Sequence, residues 1–246
     1  MNTLKKGFVL VAVGLLAFSS ANAQWYAGPR LGLNYAKMSF NNGGENRFAL
    51  GFHGGATGRF QFTKQFSAQA DLLASIMGNT NVVETTAAGT TTTIETTTSP
   101  FYVQLPLYIN FEKPIKSKQL VPYRVKESVV SFHLYGGGYF GYALSSAQST
   151  TTTINDGTTK TTTTVSGNLE SSTYNPIDFG VMLGTGFSFK LDEHNKNRFY
   201  VDLRYLMGFS DYDKSKTGTA SNSAAQISFM FSRKITQRIY TNRHRF

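Results

Sequence analysis

Apolar residues recur at every second position through eight segments of the chain, with small or polar residues between them. In 25–36, Trp25, Ala27, Leu31, Leu33 and Tyr35 oppose Gly28, Arg30, Gly32 and Asn34. In 48–62, Leu50, Phe52, Ala56, Phe60 and Phe62 oppose Gly51, His53, Gly55, Arg59 and Gln61, and in 66–77, Phe66, Ala68, Ala70, Leu72 and Ile76 oppose Gln69, Asp71 and Ser75. The segment 101–111 is the most regular, with Phe101, Val103, Leu105, Leu107, Ile109 and Phe111 against Tyr102, Gln104, Pro106, Tyr108 and Asn110. The same rhythm fills 130–144, 177–191, 199–209 and 225–235. Period two marks β-strands with two unlike faces. Pro106 cannot donate a ladder hydrogen bond, which predicts a local bulge there.

On every segment one face is rich in Phe and Leu, while the other carries Gly, Ser, Tyr and charges. A soluble lipocalin-like barrel would share the alternation but would put polar residues outside. Phe and Leu facing outward on all strands suit a sheet surrounded by lipid. The expected fold is therefore all-β: an eight-stranded antiparallel up-and-down transmembrane barrel. The connections support this, since 63–65 and 192–197 are short while the alternate links are longer, as for a barrel with periplasmic turns and outer loops. The link 112–128 is an exception, long on the short-loop side. The tracts 85–99 and 150–164 are Thr-rich. Thr favours strands, and Asn155-Asp156-Gly157 and Ala88-Gly89 sit where hairpin turns belong, so both tracts are expected to rise beyond the membrane as hairpins. Their unpaired edges could take an extended partner segment.

Eight strands enclose a space that side chains fill. By parity Arg30, Arg59, Asp71, Asp178, Asp202 and Arg204 point inward, with His53 and His133, among Gly32, Gly55, Gly137, Gly141, Gly184 and Gly208. Buried charges need partners, so a salt-bridged plug is expected; the competing reading is an ion path or a catalytic carboxylate. The two His have no close carboxylate spacing, so no metal is implied. No nucleophile elbow, HExxH pattern or phosphate-binding glycine loop is found, and neither an enzyme nor a cofactor is implied.

The N-terminus has Lys5 and Lys6, a 12-residue apolar run from Gly7 to Phe18, and Ala21-Asn22-Ala23. This reads as a secretory signal peptide over 1–23, cleaved after Ala23, with a barrel over 24–235 and a basic tail over 236–246. The run is too short to span a bilayer as a helix, which takes about 20 residues, so the chain is expected in the outer membrane. Absence of cysteine leaves packing and hydrogen bonds to hold it together.

Beyond Ala23 there are 22 basic and 14 acidic residues, a net +8. The excess gathers in two places assigned to the periplasmic end: Lys113, Lys116, Lys118, Arg124 and Lys126 in the long link, and Arg233, Lys234, Arg238, Arg243 and Arg245 near the C-terminus. An exported barrel has no use for nucleic acid. The expected partners are outer-membrane lipid and a periplasmic or cell-surface protein.

Gly28-Pro-Arg-Leu-Gly-Leu-Asn34, Tyr102-Val-Gln-Leu-Pro-Leu107, Asp178-Phe-Gly-Val-Met-Leu-Gly184 and Leu203-Arg-Tyr-Leu-Met-Gly208 resemble strand motifs of the PorT-type outer-membrane β-barrel proteins of Bacteroidetes. The resemblance spans 24–246. It implies an eight-stranded outer-membrane barrel and, through the name-giving member, a link to type IX secretion and gliding. Gln104 stands where the family commonly has an acid, and the Thr hairpins and the basic tail depart from its pattern.

Overall fold

The computed structural model describes residues 24–40, 44–115, 129–170, 174–192, 196–212 and 220–235. They form ten strands: β1 (Gln24–Phe40), β2 (Glu45–Gln61), β3 (Phe66–Ile76), β4 (Asn79–Ala87), β5 (Thr90–Pro114), β6 (Val130–Asn155), β7 (Lys160–Asn168), β8 (Ile177–Lys190), β9 (Asn197–Gly208) and β10 (Ala220–Ile235). Eight of them, β1-β2-β3-β5-β6-β8-β9-β10, close into a ring in which every neighbour is antiparallel. Closure by β10 on β1 leaves no sheet edge at membrane depth, where an unpaired backbone group would cost several kcal/mol.

Alternation decides which way each side chain points. Leu31, Leu50, Leu72, Leu107, Leu134, Leu183, Leu203 and Ile227 lie on the exposed outer wall, while the intervening residues are buried in the lumen. Toward the periplasmic end the outer wall carries linked aromatic pairs: Trp25 with Phe60 at 4.7 Å, Phe66 with Phe111 at 5.2 Å and Phe132 with Phe187 at 5.9 Å between ring centroids. At the other end Tyr35 stacks on Phe48 at 4.4 Å, with the Lys37 ammonium over the Phe48 ring. Two aromatic girdles bounding an apolar band are the signature of an outer-membrane wall.

The two remaining strands build outward. After a break at Met77 and Gly78, β4 continues β3 in the same register against β5, Ile76 facing Phe101 and Asn79 facing Thr98. On β6, the edge that pairs with β8 up to Tyr142 is taken above that point by β7, from Ala147 opposite Asn168 to Asn155 opposite Lys160. Strands β4, β5, β6 and β7 thus form a four-stranded antiparallel sheet standing beyond the ring, as the two Thr tracts led us to expect. At the first tip, Ala88 and Gly89 have φ of 49° and 81°, the left-handed pair of a type I′ turn that matches strand twist. At the second, the Asp156 carboxylate accepts the backbone N–H groups of Thr158 at 2.9 Å and Thr159 at 2.6 Å.

The bulge expected at Pro106 is not there. Leu105, Pro106 and Leu107 face Phe140, Tyr139 and Gly138 without a slip, and Pro106 merely leaves a gap in the β3 pairing between Ala70–Leu107 and Leu73–Gln104. The irregularity lies five residues earlier, where Phe101 pairs with Ser145 and Tyr102 with Ala143, so that Leu144 is the extra residue. A bulge bends and twists its strand, and this one sits where the ring gives way to the projecting sheet. It also inverts parity along β6: Tyr135, Tyr139 and Ala143 are buried below it, Ser146 above it.

Candidate functional site

Inside the ring, charged side chains meet in layers. Nearest the periplasm the Glu112 carboxylate accepts from Arg59 Nη2 at 2.6 Å and from Arg198 Nη1 at 2.7 and 2.9 Å, with the Ser188 hydroxyl at 2.9 Å. Arg59 also donates to the Tyr200 and Ser67 hydroxyls. At mid-depth Arg30 Nη2 reaches Asp202 Oδ2 at 2.5 Å, and His133 Nε2 lies 2.6 Å from Asp202 Oδ1. Asp71 Oδ2 sits 3.5 Å from Arg30 Nε and 3.3 Å from Arg204 Nη1, and the Tyr108 hydroxyl donates to it at 3.0 Å. Arg204 passes the chain to Gln226, whose amide donates to Asn34 Oδ1 at 2.8 Å; that oxygen also holds His53 Nδ1 at 2.6 Å, leaving His53 Nε2 for the Ser228 hydroxyl. Since Asn34 Oδ1 can only accept, His53 carries its proton on Nδ1.

Room for these groups comes from glycine. A Cβ at Gly184 would run into the Tyr135 ring, and one at Gly32 would lie 2.5 Å from His53 Cε1. All eight lumen residues singled out by parity, Arg30, His53, Arg59, Asp71, His133, Asp178, Asp202 and Arg204, are buried there. Seven belong to the ion-paired and hydrogen-bonded layers; Asp178 stands apart. Its carboxylate accepts from Ser210 at 2.5 Å, Asn222 at 3.0 Å and Tyr139 at 3.3 Å, all neutral donors. Above it Tyr174 and Tyr212 stack at 5.4 Å and join Met38, Met77, Tyr102 and Ala224 in a small apolar cluster across the outer mouth.

Glu112 and Arg198 complete the lowest layer and were missed by sequence reasoning, which assigned Glu112 to the basic link. The signal was present: Glu112 extends the inward series Tyr108, Asn110, and Arg198 the series Tyr200, Asp202. The histidines have no carboxylate close by in the sequence, but the fold supplies one: His133 on β6 meets Asp202 on β9, 69 residues away and across the intervening β8. Among the described residues no group of three His, Cys, Asp or Glu could hold a metal. Of the basic residues expected at the periplasmic surface, Lys113 lies at the exposed end of β5 beside a notch lined with Pro114, Ile115 and Phe132. Lys116, Lys118, Arg124, Lys126, Arg238, Arg243 and Arg245 lie outside the described residues.

The projecting sheet has two unlike faces. On the side continuous with the lipid-facing wall, hydroxyls pair across strands: Thr80 with Thr97 at 3.0 Å, Thr86 with Thr91 at 3.2 Å, Ser149 with Ser166 at 3.0 Å, Thr151 with Thr164 at 3.1 Å and Thr153 with Thr162 at 3.3 Å. On the side continuous with the lumen, Val83, Ile94, Ile154 and Val165 stand exposed, Val165 at 67%. β7 is paired on one edge alone among the described residues.

A lipid-facing closed wall, a filled lumen and a sheet carried beyond the mouth define a small outer-membrane β-barrel. The chain belongs to the family of the outer membrane protein beta-barrel domain, which it matches over residues 18–214, and its location is the outer membrane. Among solved structures it is similar to Neisserial surface protein A, at 11% identity and TM-score 0.41 over 87% of this chain and 100% of that one. OprG of Pseudomonas aeruginosa gives 11% and 0.40 over 87% and 96%, and Ail, the attachment invasion locus protein of Yersinia pestis, 10% and 0.31 over 84% and 97%. No curated protein matches it.

Proposed function

We propose that this is a non-enzymatic integral outer-membrane protein that holds a partner at the cell surface through its projecting sheet. The observation that carries the reading is the nine-residue strand β7, exposed along its whole length and, among the described residues, hydrogen-bonded on one side alone. An open edge in water is a template for strand addition. The lumen supports a scaffold rather than a catalyst: each carboxylate in it is already engaged by arginine, histidine, amide or hydroxyl donors, which leaves none poised toward a substrate. Export would be directed by the signal peptide over 1–23, which is then cleaved after Ala23. Membership of the PorT-type group, with docking of periplasmic secretion machinery by Lys113 and the basic residues of the link and tail, is the rival role.

The test is crosslinking in intact cells with the parent and with a variant whose residues 80–98 and 147–168 are replaced by short turns. Cell-surface partners that crosslink to the parent and vanish with the hairpins support the reading. Partners that persist in the shaved variant, or that attach through 113–127 or the tail, overturn it.

A further inference from the structure

We infer that the free edge of β7 takes as its strand partner β7 of a second copy of this chain, presented by an opposing membrane. This rests on the reading of the projecting sheet as a binding surface and names its occupant. β7 runs Lys160-Thr-Thr-Thr-Thr-Val-Ser-Gly-Asn168, in unbroken register with β6. The devices that blunt an edge are a proline, a bulge or a charge in mid-strand; β7 has none, and its one charge is at its first residue.

The strand is complementary to itself. Antiparallel pairing about Thr164 sets Lys160 opposite Asn168, Thr162 opposite Ser166, Thr163 opposite Val165, and Thr164 opposite its own copy. Each pair joins like faces, so the hydroxyl face of one sheet runs into that of the other through Thr–Thr and Thr–Ser pairs, akin to the Thr–Thr and Ser–Ser pairs that already link β6 to β7. The lysines fall at opposite ends. Each faces the neutral Asn168 of the other chain, so the two ammonium groups do not meet.

Topology fixes the orientation. β7 descends toward its own membrane, so an antiparallel copy descends toward a membrane on the other side. A neighbour in the same membrane presents a β7 that descends in the same direction, so it cannot take the antiparallel register about Thr164. A nine-residue pairing is at the small, transient end of interfaces. Many such contacts between two membranes add by multivalency, so association belongs to membranes facing each other.

The chain has no cysteine, which allows a direct test in two differently labelled populations of phosphatidylcholine vesicles carrying the full barrel. Parent protein should cluster the two populations, and Thr164→Cys should form a disulfide-linked dimer on oxidation. Thr162→Cys alone should not, since the two thiols would be four residues apart, about 14 Å along the strand, beyond the reach of a disulfide; mixed with Ser166→Cys vesicles it should. Thr164→Lys, which sets two ammonium groups opposite each other at an exposed position, should abolish clustering. Equal dimer yields from Thr162→Cys and Thr164→Cys, or clustering unchanged by Thr164→Lys, would overturn the pairing. If those results came while hairpin-dependent surface crosslinks persisted in cells, the homotypic partner would fall and the binding sheet would stand; loss of both would remove both.

Discussion

Glu112 closes the inward series of β5 and Arg198 opens that of β9, and they meet at 2.7 and 2.9 Å through both carboxylate oxygens. Arg59 shares the same carboxylate from β2, on the other side of β3. One acid therefore supplies the counter-charge of two guanidinium groups, and its loss removes that charge from both. Glu112→Gln is expected to lower the unfolding free energy by about 3–5 kcal/mol, the range for breaking a buried pair, read by urea unfolding in lipid vesicles. Arg198→Met should cost less, since Glu112 then keeps Arg59.

Asp178 and Asp202 are equally buried on neighbouring strands, but only Asp202 faces a cation. Asp202→Asn leaves Arg30 Nη2 without its carboxylate and should be strongly destabilising, again by about 3–5 kcal/mol. Asp178 is held by Ser210, Asn222 and Tyr139, and a neutral amide of the same shape can accept from two of these donors. Asp178→Asn should therefore change stability by less than about 1 kcal/mol. A loss at Asp178 matching that at Asp202 would mean that Asp178 is paired with a charge.

Period-two patterning made the ring and its inward residues legible in the sequence, because a lipid-facing wall forces a strict alternation. It could not say which inward residues touch. Arg30 and Asp202 are 172 positions apart, and their meeting depends on strand order and depth around the closed ring. Glu112 was lost for a different reason: apolar alternation ends at Phe111, while inward parity runs one residue further. The two faces of the projecting sheet were hidden because Thr occupies both. Only the register, with the parity inversion at Leu144, separates the hydroxyl side from that of Val83, Ile94, Ile154 and Val165.

The tip of the second hairpin stands in water, outside the membrane. The backbone N–H groups of Thr159 and Thr158 hold the Asp156 carboxyl below its usual range. A depressed acid contributes order that is present above its unfolded pKa, about 3.9, and is lost as pH falls through the lower folded value. The amides of Thr158 and Thr159 should thus stay protected from exchange at neutral pH and down through pH 4, loosening only below that. Asp156→Ala should leave them unprotected at every pH, with the ring unaffected.

The outer wall offers the cleanest separation of a membrane barrel from a water-soluble one. Leu183 is 69% exposed on β8, at the middle of a strand whose outward residues include Ile177, Phe179, Val181 and Phe187. In a bilayer, an arginine there must reach the headgroups or carry its charge into hydrocarbon, a cost of about 2–4 kcal/mol near the midplane. Leu183→Arg should therefore lower stability by that amount in vesicles and should matter less in short-chain detergent, where water lies closer. Moving the substitution to Phe199, beside the periplasmic girdle, should shrink the effect of the arginine itself toward zero, once the lost aromatic packing is matched by a Phe199→Gln control. A barrel facing water would show neither the midplane cost nor its dependence on depth.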